Sequence, residues 1–213
     1  MADPSTTPAL HGAPERARFE AGNRLTASDL NLEHRYRTGV LRRHLRLVHG
    51  WGVVCGLPVV ALDDPKRPWL IRVCPGYGVG PCGDEIVLAR GLDFDLAEIS
   101  WRRLTAIDAT RVYISLRFLE LPARLLPEDG CSCESSCGDG AVASRIRDAA
   151  EVIAGWALPG ARISLFDLCS GDQPPCPECP PGCELPLASV VLPDSLSDPI
   201  TDSRIDNSIR RFL

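Results

Sequence analysis

The 213 residues are 45% apolar and 24% charged, enough chain for one ordinary domain or two small ones with a real core. These values exclude a mostly disordered chain, a collagen and a coiled-coil rod, and no apolar run approaches the ~20 residues of a membrane-spanning helix. The net charge of −5 and the presence of only three Tyr make nucleic acid a poor partner. The opening Met1-Ala-Asp-Pro-Ser-Thr-Thr-Pro has neither the cationic start nor the apolar stretch of a secretory signal, so assembly in the cytoplasm is expected.

Pro and Gly together supply 37 residues, which favours turns and short strands over long helices. Residues 1–24 read as an arm. Within 25–50, Thr26 or Ser28 offers a helix cap, Asp29 suits the first turn and Gly50 marks a stop, which predicts a helix over about 28–48. Leu30, Tyr36, Val40, Leu41, Leu45, Leu47 and Val48 would form its broad apolar face, with Arg35, Arg42 and Arg46 opposite. Residues 51–126 form a β-rich core. In it, Trp51–Val60, Trp69–Cys74 and Glu85–Ala89 are short, rich in β-branched residues and bounded by Gly, Pro and Asp, as strands are. Residues 75–84, with four Gly and two Pro, read as a tight connection. Arg111–Glu120 alternates, with Val112, Ile114, Leu116 and Phe118 on one side. Cys-rich loops and strands occupy 127–184, including a strand from Glu151, and 185–213 hold a closing strand and tail. The fold class is therefore mainly β with one long N-terminal helix (α+β), a short-stranded β body carrying Cys-rich loops.

Seven of the ten Cys fall in two loop segments, Cys131, Cys133 and Cys137, then Cys169, Cys176, Cys179 and Cys183. Cys176-Pro-Glu-Cys179 has the spacing of a zinc knuckle and Cys133-x3-Cys137 offers a second pair, so a structural Zn ion is expected on these four. Cys131, Cys169 and Cys183 are reserve ligands. Disulfides are the rival reading, since bridges staple loops of this composition in exported proteins. A thioredoxin-like role for Cys176 and Cys179 needs a helix that Pro180-Pro181-Gly182 forbids. Cys55, Cys74 and Cys82, in or beside strands, read as small buried hydrophobes.

No catalytic pattern stands out. His11, His34, His44 and His49 form no pair at i, i+4, phosphate-binding Gly loops and Gly-x-Ser-x-Gly are absent, and Asp84-Glu85 read as turn residues. A non-enzymatic role follows. Charge is polarised: residues 15–49 carry eight Arg against four acids, a net of +4, while residues 50–213 carry a net of −8. Arg35, Arg42 and Arg46, spaced seven and four apart, share one side of the helix and suit carboxylates, either on a partner or on the chain's own body. Leu41 and Leu45 are candidates for the same contact.

Phe19-x-x-Gly22-x-x-Leu25-Thr-Ala-x-Asp29-Leu, Tyr36 and His49-Gly-Trp-Gly-Val-Val-Cys-Gly-Leu-Pro-Val resemble a family of proteins associated with phage-tail-like contractile particles. Val73-x-Pro75-Gly-Tyr-Gly with Gly83-x-Glu85-Ile looks like elements of phage tail and baseplate accessory proteins. Leu185-Pro-Leu-Ala-Ser-Val and Ile200-Thr-Asp-x-Arg-Ile-Asp resemble their closing segment. The similarity covers about 19–90 and 185–211. It implies a structural or adaptor subunit at the baseplate or tail-fibre end of a contractile injection particle. Its partners would be other subunits, with homo-oligomers inside the particle and no membrane insertion. The alternative is a free-standing zinc- or carbohydrate-binding module, for which a packed tail at 200–213 is the discriminating feature. A hydrolase with a cryptic site is a third.

Overall fold

The computed structural model describes residues 14–97, 110–126, 142–156 and 183–213. The chain is mainly β, and among the described residues there are three antiparallel sheets and one N-terminal α-helix. Helix α1 (Ala27–His44) starts at Thr26, whose hydroxyl accepts from the Asp29 amide while the Asp29 carboxylate accepts from the Thr26 amide at 2.9 Å. This reciprocal cap satisfies two otherwise orphaned donors. Its hydrogen bonds with Thr26 hold the Asp29 carboxyl below its ordinary range. The helix runs into a π turn, Leu45–His49, and stops at Gly50, whose φ of 87° favours glycine.

The first sheet has the order β1 (Gly52–Gly56), β4 (Gly76–Val79), β5 (Glu85–Leu88), and the second the order β2 (Val59–Ala61), β3 (Leu70–Val73), β6 (Leu92–Asp95). The third has the order β10 (Ile205–Asp206), β9 (Leu185–Val191), β7 (Arg111–Leu126), β8 (Val142–Gly155). One cluster fills the space they enclose. Trp69, Ile71, Val73, Ile86, Leu96, Ile114, Leu116, Leu185 and Leu187 are essentially inaccessible within it. Each large aliphatic side chain contributes roughly 1.5–3 kcal/mol by leaving water, so this cluster holds the sheets together. Val112, Ile114 and Leu116 are buried as their alternation requires, and Phe118 packs at the rim.

Two strand assignments need correction. Trp51–Val60 is not one strand but β1 and β2, broken where Gly56 and Leu57 both take positive φ before Pro58, so the chain turns into a different sheet. Residues 75–84 are not merely a connection, because 76–79 form the central strand of the first sheet. Glycine there serves close approach: a Cβ on Gly76 would lie 2.4 Å from the Leu57 amide nitrogen, and one on Gly78 2.7 Å from Leu185 Cδ2. Composition alone suggests a turn, whereas packing selects an extended backbone. Strand β6 has too short an apolar pattern to be legible in advance.

The tail packs on the body. Ile200 is buried and its amide donates to Pro68 O, β10 extends the third sheet, and Asn207 donates to and accepts from the Val59 backbone at 2.9 Å each way. Asp202 accepts from the Ala61 amide at 2.8 Å, so side chains satisfy the outer edge of β2. Val53 donates to Arg211 O and accepts from the Leu213 amide, placing the last residues beside β1. A tail built this way is part of the core scaffold, so it does not discriminate between an assembly subunit and a free-standing module.

Candidate functional site

The helix meets the body at the β4–β5 turn and at strand β7. The β4–β5 connection closes through Gly80, whose amide donates to Asp84 O at 2.8 Å, and through the Gly83 amide, which donates to Gly80 O. Gly83 has φ 85° and lies flat against the helix, since a Cβ there would sit 2.1 Å from Arg42 O. Any side chain at 83 would push the helix away. Above this platform the Arg42 guanidinium pairs with Asp84 at 2.6 Å and with Glu120 at 3.4 Å, and lies 5.5 Å from the centroid of the Phe118 ring. One arginine thus ties α1 to both the β4–β5 turn and strand β7.

The Asp84 carboxyl is shifted above its ordinary range, first by burial, which the Arg42 charge only partly offsets and Glu120 reinforces. The ion pair is therefore an anchor with a desolvation cost. Beside it Cys82 is disulfide-bonded to Cys183, with Cα atoms 5.3 Å apart, which fastens the same turn to the start of β9. Cys82, Asp84 and Cys183 bring their ligand atoms within 4.8 Å of one another. Reduced, that set offers two thiolates and a carboxylate to an ion, but here the sulfurs are bonded to each other and the carboxylate to Arg42.

Cys183, a reserve zinc ligand in the sequence reading, here pairs with Cys82 on the turn that carries Asp84 rather than with another loop thiol. Cys82 is likewise not a small buried hydrophobe, and Cys55 is exposed and Cys74 half-buried, so burial does not explain this trio. The spacing of 101 residues hid the Cys82–Cys183 pair; only strand pairing brings those positions together. Cys131, Cys133, Cys137, Cys169, Cys176 and Cys179 lie outside the described residues.

The arginine stripe divides. Arg35 is exposed, Arg42 is engaged by its own body and Arg46 is half-buried. Leu45 is half-buried and Leu41 is 48% exposed, so Leu41 is no core residue. No residue of α1 or of the π turn is buried. Leu30, Val40, Leu41, Leu47 and Val48 all stand among the exposed large hydrophobic side chains. A second uncovered apolar group, Val54, Phe212 and Leu213, lies where the last residues run beside β1. An open recess of about 260 Å³ at the start of the helix is lined by Phe19, Arg24, Leu25 and Asp29, but its one carboxylate is taken by Thr26.

No protein-family model matches the chain, and no curated protein is similar to it. Among solved structures it is similar to a chain in the cryo-electron microscopy structure of the type VI secretion system TssK-TssF-TssG baseplate subcomplex, at 15% identity and a TM-score of 0.44. The alignment covers 94% of this chain and 61% of that one, so the chain spans about three-fifths of the neighbour's length. A likeness of that degree assigns no role. No helix among the described residues is long and apolar enough to cross a membrane.

Proposed function

We propose that this chain is a non-enzymatic structural adaptor of a phage-tail-like contractile particle, positioned at its baseplate or fibre end. The observation that carries the reading is the helix over 27–49: it has no buried residue, yet presents Leu30, Val40, Leu41, Leu47 and Val48 to solvent. Apolar surface of that kind on an ordered helix is finished by contact with another chain. The motifs at 19–36 and 49–59, which resemble proteins of contractile particles, include this helix and the strand that follows it. The neighbour is another subunit of the particle, either a second copy or a different chain. A free-standing module has the same need for a packed tail but no use for an uncovered helix.

In this reading Arg35 faces carboxylates of the neighbour, while Arg42 holds the helix at its working angle. Cys133, Cys137, Cys176 and Cys179 are the leading ligands for one Zn ion per chain, with Cys131 and Cys169 in reserve. The Cys82–Cys183 bridge suits a part displayed where conditions are oxidising.

The test replaces Leu41 and Leu47 by Asp in the full chain and follows both thermal stability and incorporation into particles reconstituted with the neighbouring gene products. The expected outcome is an unchanged melting temperature with incorporation lost. Normal incorporation of the variant would sink the adaptor reading of this helix.

A further inference from the structure

The π turn at the end of α1 builds something that regular helical spacing cannot. Residues five apart on an α-helix are ~140° apart around the axis, so His44 and His49 would point in different directions. Over 45–49 the helix widens, the Gly50 amide donates to Leu45 O at 2.9 Å, and residue i+5 comes to lie over residue i. The two imidazoles meet with centroids 5.1 Å apart and planes at 77°, and their Nε2 atoms are 3.3 Å apart at an exposed surface.

That separation is long for a hydrogen bond between the two rings, though within its reach, one ring donating and the other accepting. It does match a chelate: two nitrogens each ~2.0 Å from one tetrahedral ion are roughly 3.3 Å apart. Arg43 and Arg46 stand on the same turns and Arg211 approaches Gly50, all opposing a cation, but exposed charges are screened and Arg42 is neutralised by Asp84 and Glu120. The helix ends here, so its last carbonyls present the negative pole, which favours a cation.

We propose that His44 and His49 form a two-imidazole site for a late first-row divalent ion such as Zn²⁺ or Ni²⁺, with the remaining coordination positions open to solvent. Imidazole suits this class of ion, whereas Mg²⁺ and Ca²⁺ prefer oxygen donors and are excluded. The site uses no cysteine and does not depend on the adaptor reading. Its consequence is mechanical: a bound ion cross-links residues 44 and 49 and fixes the π turn between α1 and β1.

The experiment is a titration of the full chain with Zn²⁺, read by the imidazole nitrogen resonances of the His side chains, with His34 as internal control and loop thiols saturated first. Zn²⁺ is expected to shift the His44 and His49 Nε2 signals together, to leave His34 unmoved, and to lose its effect on His44 in the His49→Gln variant. Mg²⁺ is expected to do nothing. Both residues are exposed, so the variant should fold; amide spectra of 27–50 check this. The proposal is overturned if neither ring responds once the thiols are saturated. It is equally overturned if His44 responds in the His49→Gln variant as it does in the parent chain.

Discussion

Tyr77 shows how one hydrogen bond can be read in a titration. Its hydroxyl donates to Glu85 Oε1 at 2.7 Å across the β4–β5 pair, and this bond, helped by burial and by the Glu85 charge, pushes its pKa up to about 12. Because the folded value is raised above the ordinary 10, the stabilisation is fully present below pH ~10 and is lost as pH rises through about 12. Absorbance at 295 nm should therefore show one tyrosine ionising near 12, and Glu85→Gln should bring that component down. Arg72 and Asp93 make the comparable cross-strand contact between β3 and β6 through two hydrogen bonds, which hold the Asp93 carboxyl below its ordinary range. Tyr77 and Glu85 are eight residues apart, and the antiparallel β4–β5 register, with Tyr77 opposite Val87 and Val79 opposite Glu85, makes them diagonal neighbours once 76–79 is known to be a strand.

For the helix as an element, the decisive fact is that Arg42 ties it to two separate parts of the body. Its length, cap and stop were legible from Thr26, Asp29 and Gly50, because capping is a local interaction. Its apolar face was equally legible, but whether that face meets the chain's own sheet or another chain is not local. Arg42→Ala would remove the pair with Asp84 and Glu120 and leave a partly buried carboxylate without its cation. The cost should be about 1–3 kcal/mol, between the exposed and buried limits for ion pairs. Hydrogen exchange of the 27–44 amides should speed up more than that of β7 and β9, since the sheets keep their own core. Uniform acceleration across the chain would show that the helix is not a separately anchored unit.

The whole molecule depends on contacts between distant segments: the C-terminal residues seal β1 and β2, and Cys183 closes a loop back to Cys82. A bridge spanning 101 residues restricts the unfolded chain considerably. Cys82→Ser with Cys183→Ser should lower unfolding free energy by about 2–5 kcal/mol, measured by denaturant titration. A change under ~0.5 kcal/mol would mean that the strand pairing alone sets this geometry. The protein should also lose stability when Asn207 or Asp202 is replaced by Ala, because their side chains satisfy the backbone of β2 at Val59 and Ala61.

Sequence by itself determined the mainly β class, the helix and its ends, and strand β7 with its buried Val112, Ile114 and Leu116, since caps and alternation act over a few residues. Tertiary structure decided the rest. It made Gly76–Val79 a strand because two backbones need the space a Cβ would take, paired Cys82 with Cys183, and turned Arg42 inward onto Asp84. It joined His44 to His49 by widening one helical turn. Each of these is a meeting of groups that only the packed chain brings together, and no local pattern of residue types encodes such a meeting.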